Sequence, residues 1–301
     1  MNKKILIVSS YNKGYISSFI EEQVNSIKDK VIVEYFNIIG SGISGYLKNY
    51  PSLKRNLKCN EYDIIHAHYG LSGMLAKLQR KIPVVTTYHG SDVHYYKNRL
   101  ISKLCSKLSS YNILTNNKQV NQLGLRANYD VIPCGIDIDI FKPIDKNKCK
   151  KYFNLSENKK YILFSSSFDR KVKNPKLAIE AVEGLDNVEL IELKGYTRDE
   201  VSKIINACEL VLITSNYETG PLIAKEAMAC NTPVVSLDVG DVKYVLDDLS
   251  KYYIVDRNID SIREKIINIM NDKKNIELRK KVVHYNIKET ARKIIEIYNQ
   301  I

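Results

Sequence analysis

Two α/β domains built on parallel sheets are what this sequence predicts, and three observations carry the prediction. Short apolar runs alternate with helix-forming stretches along the whole chain, which is the grammar of repeated βαβ units. One such unit is spelled out completely between Ala207 and Ser236, ACELVLITSNYETGPLIAKEAMACNTPVVS. The length of 301 residues suits two domains, each large enough to bury its own core.

In chain order, Lys4 to Ser9 is an apolar strand and Ser10 to Gly14 the loop leaving it, followed by a helix from Ile16 to Lys28. Val31 to Ile38 alternates like a second strand. Gly45 to Leu57, GYLKNYPSLKRNL, mixes Tyr and Leu with Lys48, Lys54 and Arg55, and Lys58 follows; Lys97 to Lys107, KNRLISKLCSK, repeats that basic and apolar mixture. Either segment suits a solvated helix face or a seat in the headgroup layer of an anionic bilayer. Strands are expected at Tyr62 to His68, Pro83 to Tyr88, Tyr111 to Thr115 and Tyr129 to Pro133. Phe141-Lys142-Pro143 and the polar run after it read as a linker, so a first domain covers 1–143 and a second 144–289. The second opens with a strand, Tyr161 to Ser166, and a helix, Lys176 to Gly184; Val188 to Leu193 and Thr197 to Asn206 repeat the pair. After the complete unit come a helix start at Gly240-Asp241-Val242, a strand at Tyr252 to Val255, and a mostly helical stretch from Ile259 to Ile301.

Composition excludes several classes. No apolar run approaches the roughly 20 residues that span a bilayer, and the N-terminal run is too short for a secretory signal, which places the protein in the cytoplasm. Six cysteines lie scattered without CxxC spacing and read as reduced packing residues. A formal charge of +12 fits nucleic acid, an anionic membrane or a phosphorylated ligand. No base-stacking aromatic pattern accompanies it, so nucleic acid is set aside and a peripheral place on the inner membrane face is kept.

Chemistry concentrates in the complete unit. Its loop opens at the carboxyl edge of the sheet, where ligands bind in doubly wound folds. The backbone of Thr219, Gly220, Pro221 and Leu222, with a helix dipole behind it, suits a phosphate, and Pro221 suits the first helical turn. Glu218 and Glu226 flank that anion site, where a carboxylate is repulsive unless it holds hydroxyl groups. A diphosphate with polyhydroxyl groups at both ends satisfies all of these features, and such a ligand is a nucleotide sugar.

Glu218 and Glu226 stand in a Glu-x7-Glu frame, and SNYETGPLIAKEAMACNTPVVSLDVGDV resembles the donor site of the retaining glycosyltransferases of family 4, of the bacterial surface-polysaccharide type. HAHYG and YHGSD, at residues 66–70 and 88–92, and VIPCGIDIDIF, from Val131, resemble the same family. The resemblance implies the GT-B fold, two Rossmann-like domains facing each other across a cleft, with a C-terminal helix at 290–301 crossing back to the first. It implies that Glu218 contacts sugar hydroxyls, Glu226 the ribose, and the amides near Gly220 the diphosphate, with His89 at the cleft floor and Gly14 facing the phosphates. An ordinary turn is the other reading of Gly14. The family's Gly-Arg and Lys pair maps onto Ser167-Phe168 and Lys173-Asn174, so Arg170, two positions late, is expected to supply the clamp guanidinium beside Lys173.

His66 and His68 share one side of their strand, and a metal is conceivable there, although a packing and acceptor-side role suits them better. Asp137-x-Asp139 sits in the junction rather than in a loop suited to Mg²⁺, so no essential metal or other cofactor is expected. The catalytic set expected is His89, Arg170, Lys173 and Glu218. The reaction that the resemblance implies is transfer of a hexosyl or N-acetylhexosaminyl group from a UDP- or GDP-sugar to a glycan or lipid-linked acceptor in polysaccharide synthesis. A binding subunit that assists a partner transferase is the alternative.

Overall fold

The computed structural model describes residues 2–12, 14–271 and 277–301, and these form two compact units. The first comprises residues up to Gly135 together with Ile287–Ile301, and the second runs from Ile136 to Asn286. The division lies eight residues before the expected boundary at 143, because residues 136–143 are already part of the second unit. Ile136 and Phe141 are sealed in its core. Ser202 Oγ donates to the Ile140 carbonyl at 2.7 Å, and Asn206 Nδ2 donates to that of Lys142 at 3.0 Å.

The first unit runs β1 (Lys4–Ser10), α1 (Ser18–Asn25), β2 (Ile32–Ile38), α2 (Gly42–Leu47), α3 (Tyr50–Cys59), β3 (Ile64–His68) and α4 (Gly70–Lys77). It continues with β4 (Val84–Tyr88), α5 (Ser91–His94), α6 (Tyr96–Leu108), β5 (Tyr111–Leu114), α7 (Asn117–Leu123) and β6 (Tyr129–Val131). All six strands pair in parallel, in the order β2-β1-β3-β4-β5-β6. Alternate residues of β1 serve opposite layers. Ile5 and Ile7 meet α1, while Leu6 and Val8 meet Leu53 of α3 and Leu75 of α4.

The basic stretch expected as one segment from Gly45 is two helices, α2 and α3. The Asn49 side chain stitches the break, donating to the carbonyls of Ile39 at 2.9 Å and Gly45 at 2.8 Å, and Pro51 opens α3. Gly14 takes a left-handed φ of +75° with nothing near its missing side chain, so the turn itself requires a glycine there. Lys13, in the same expected loop, lies outside the described residues.

The second unit runs α8 (Lys146–Tyr152), β7 (Lys160–Phe164), α9 (Pro175–Val182), β8 (Val188–Glu192), α10 (Arg198–Ala207), β9 (Leu210–Ile213), α11 (Leu222–Ala229) and β10 (Val234–Leu237). There follow α12 (Val242–Leu246), α13 (Ser250–Tyr253), β11 (Ile254–Val255) and α14 (Ile259–Asn271). Its five strands are parallel, in the order β11-β10-β9-β7-β8. Thr197 and Glu200 form a reciprocal capping box that starts α10. The strand expected at Tyr252 to Val255 shortens to two residues because α13 runs through Tyr253.

Within the stretch expected to be mostly helical, Leu278–Lys281 and Val283–Tyr285 are single 3₁₀ turns. Residues 272–276 lie outside the described residues. The last helix, α15 (Ile287–Gln300), starts three residues earlier than expected, and its Ala291, Ile294, Ile297 and Tyr298 join the core of the first unit.

Glycine lets α4 approach its neighbours closely. A Cβ on Gly73 would stand 2.4 Å from Cys105 Sγ and 2.7 Å from Thr86 Oγ1. Alanine has the better helix propensity by up to about 1 kcal/mol, but overpacking of this kind costs roughly 1–3 kcal/mol. Gly73→Ala is therefore expected to lower the urea midpoint, and an unchanged midpoint would show that α6 yields freely.

Candidate active site

In the second unit the carboxyl edges of β7 and β9 hold the two acids. The turn Lys171–Lys173 after β7 is fastened to the end of β9: Thr214 Oγ1 donates to the carbonyls of Lys173 at 3.2 Å and Asn174 at 2.9 Å, and Asn216 N–H donates to that of Val172 at 2.9 Å. Asn174, in the left-handed region, turns the chain into α9 with Pro175 at its start. This fastening brings Lys173, 45 positions away in sequence, onto Glu218, where Nζ pairs with Oε1. Ser215 Oγ donates to the same oxygen at 2.7 Å. Both partners of the pair are largely buried, so removing either would leave the other without its buried partner.

Glu218 leads into the helix entrance. Pro221, expected in the first helical turn, occupies the cap position, and α11 begins at Leu222. The N–H groups of Thr219, Gly220, Leu222 and Ile223 have no acceptor among the described residues, which leaves an amide cradle at the head of the helix. Gly220 lets the Asp241 carboxylate lie against the loop, since a Cβ there would stand 2.8 Å from Asp241 Oδ2. That carboxylate lies 3.8 Å from the Nζ of Lys225, a residue buried within α11 whose ammonium also sits 4.3 Å from the Tyr285 ring centroid.

Glu226 lies in the buried face of the same helix and pairs with Arg198, at the head of α10. The Arg198 guanidinium also stacks 4.8 Å from the Phe141 ring centroid. Arg170 is exposed, and its guanidinium makes a long 3.5 Å contact with Ser166 Oγ. The structure therefore brings Lys173, Glu218, Thr219, Gly220, Pro221, Leu222 and Glu226 to one edge and adds Arg198, Lys225 and Asp241. None of these three carries a local signal: Lys225 reads as a solvated helix charge, and Arg198 stands 28 residues before the acid it meets.

In the first unit the histidines form a chain. His66 Nδ1 lies 2.5 Å from the Tyr298 hydroxyl and Nε2 lies 2.7 Å from Thr87 Oγ1. Both ring nitrogens are thereby engaged, which leaves no edge for a metal. His68 stacks on His66 at 4.7 Å, and its Nδ1 meets His89 Nε2 at 2.9 Å. His89 Nδ1 and His68 Nε2 are buried without partners among the described residues. Burial pushes His66 and His89 down to about 3 and His68 well below its usual value, so all three are neutral at pH 7. The imidazole of His89 also packs against Phe19 and Tyr69, each with a centroid at 4.8 Å.

Asp92 holds the loop that carries His89. It accepts N–H bonds from Gly70 at 3.0 Å, His89 at 3.1 Å and Gly90 at 2.9 Å, while burial raises its pKa to about 6. A cavity of about 420 Å³ opens beside it, with Ser10, Asn12, Tyr69, Asn98 and Ser102 among its walls. Asp137 of the junction accepts N–H bonds from Asp139 at 2.9 Å and Ile140 at 3.2 Å, which occupies it in a turn. Among the described residues no group of three or more His, Cys, Asp or Glu side chains could hold a metal ion.

Solved structures share this architecture. Sucrose-phosphate synthase from Thermosynechococcus elongatus superposes with a TM-score of 0.86 at 16% identity, over 99% of each chain. Anabaena HepE, solved in complex with UDP, gives 0.76 at 16% identity over the whole of both chains. Residues 18–140 match the family model of glycosyltransferase family 4, and residues 187–289 match that of glycosyl transferases group 1. The chain is a GT-B glycosyltransferase.

Sequence relatives agree. An uncharacterized glycosyltransferase of Methanocaldococcus jannaschii is 27% identical to this glycosyltransferase over 96% of the chain and 93% of its own length. The D-inositol 3-phosphate glycosyltransferase of Mycobacterium marinum is 24% identical over 62% of the chain and 51% of its own length. The glycosyltransferase described here thus spans about half the length of that second kind of relative. No helix among the described residues is long and apolar enough to cross a membrane.

Proposed function

We propose that this glycosyltransferase moves a hexosyl or N-acetylhexosaminyl group from a UDP- or GDP-sugar to a glycan or lipid-linked acceptor, with retention of anomeric configuration and without an essential metal. The observation that carries the reading is the second unit's edge, where Glu218 and Glu226, each tied to a cation, bracket a set of helix amides that no acceptor of the described chain satisfies. Structural neighbours solved with UDP and with UDP-glucose support a nucleotide-sugar donor.

In this reading the amides of Thr219, Gly220 and Leu222 take the diphosphate, and Lys173 moves from Glu218 to the leaving phosphate as negative charge builds there. Glu218, released from the lysine, orients sugar hydroxyls, and Glu226, held by Arg198, meets the ribose. The leaving phosphate itself takes the acceptor's proton on the face it departs from. His89, neutral at physiological pH, offers a hydrogen bond without a competing positive charge. Arg170 is free to swing onto the diphosphate but is not held there. Polysaccharide assembly on the cytoplasmic side of a cell membrane is the setting that the family resemblance supports.

The test is nucleotide release from UDP- and GDP-sugars with and without a chelator, followed by NMR of the product's anomeric proton. Chelator-independent release and retained configuration are expected. Activity abolished by the chelator and restored by Mg²⁺ would overturn the metal-free mechanism. In Glu226→Ala the donor KM is expected to rise about tenfold or more, since a lost charged hydrogen bond is worth roughly 1.5–3 kcal/mol; an unchanged KM would remove the ribose role.

A further inference from the structure

The outer face of α6 carries four large apolar side chains at intervals of four, Tyr96, Leu100, Leu104 and Leu108, exposed by 66%, 52%, 51% and 46%. Four-residue spacing places them in one slowly turning stripe along the helix. Lys97, Arg99, Lys103 and Lys107 flank the stripe, and the helix contains no acidic residue. Ser102, Cys105 and Ser106 face inward, while Asn98, Ile101 and Ser102 border the cavity beside Asp92.

We propose that this face seats the glycosyltransferase on an anionic lipid surface. Leucines between lysines match a bilayer's boundary layer, in which apolar side chains enter the acyl region and ammonium groups stay among the headgroup phosphates. A protein partner fits less well, because lysine is depleted at protein interfaces. A second copy would bring two like-charged faces together. A polyanion such as nucleic acid gives the leucines nothing to enter.

The chain contains no tryptophan, so a single introduced one reports without background. Leu104→Trp, mixed with vesicles of phosphatidylcholine and phosphatidylglycerol, is expected to shift its emission to the blue and to be quenched by brominated acyl chains. Asn299→Trp, exposed on α15 across the sheet from α6, is expected to show neither effect. Lys103→Ala and Lys107→Ala should each weaken partitioning about five-fold. Leu100→Glu combined with Leu104→Glu should abolish it, with thermal melts by circular dichroism confirming that each variant is folded.

No binding to these vesicles would overturn the membrane seat, and so would unchanged binding in the lysine and leucine variants. A blue shift in Leu104→Trp that follows protein concentration rather than lipid would overturn it as well. These measurements need neither donor nor acceptor, so their failure leaves the transferase reading standing.

Discussion

Replacement of Lys173 by alanine is expected to slow nucleotide release about 10²–10³-fold, the loss that follows removal of one preorganised charge stabiliser at a leaving group. This ammonium is already fixed by Glu218, and the backbone that carries it is pinned by Thr214 and Asn216. Only the side chain then has to pass from Glu218 to the leaving phosphate as charge develops there, on a backbone that stays in place. Arg170→Ala should cost less than about tenfold, because an exposed guanidinium with one 3.5 Å contact is not preorganised. Equal losses in the two variants would show instead that Arg170 closes onto the donor as firmly as Lys173.

Glu218→Gln separates the two roles of the pair. With its partner neutralised, Lys173 is free for phosphate, so the donor KM should hold or fall while kcat drops. A rise in KM with kcat unchanged would mean that Glu218 serves ground-state binding alone.

The second large effect concerns acid. His66 and His89 fall from the ordinary 6.5 to about 3 in the folded state, and His68 shifts the same way. Below pH 6.5 the unfolded chain takes up protons that the folded chain refuses, so stability present above that pH is lost as pH falls toward 3. At one pKa unit per about 1.4 kcal/mol, His66 and His89 each withdraw about 2 kcal/mol between about pH 7 and about pH 5.

Asp92 works in the opposite sense. Its folded pKa is raised to about 6, so it recovers about 1.4 kcal/mol over the same interval. A net loss of roughly 2–3 kcal/mol from these three groups is expected, with His68 adding to it. Urea unfolding at pH 7 and pH 5 measures this. A flat profile would show that water reaches the histidine stack, and His66→Gln should make the profile shallower.

Much of this glycosyltransferase was legible in residues 207–236 alone, because a buried parallel strand, a loop and a run of strong helix formers each leave a local mark in the order of residue types. The Glu-x7-Glu frame and the Gly220-Pro221 turn could be read there, and the structure sets both acids at one sheet edge. The two-domain alternation was equally local. The boundary reads near 143 rather than at 135 because Ile136 and Phe141 look like linker residues until the core they fill is known.

What the sequence determined, then, was the order of strands and helices and the turn at which the acids stand. The partners were decided by tertiary structure: Arg198 for Glu226, Lys225 for Asp241, Tyr298 for His66. Periodicity records which face of a segment leaves water, and that is settled within a few residues. Which buried charge or imidazole meets which depends on how separate segments are fastened side by side, and no local pattern encodes a distance across 232 positions of chain.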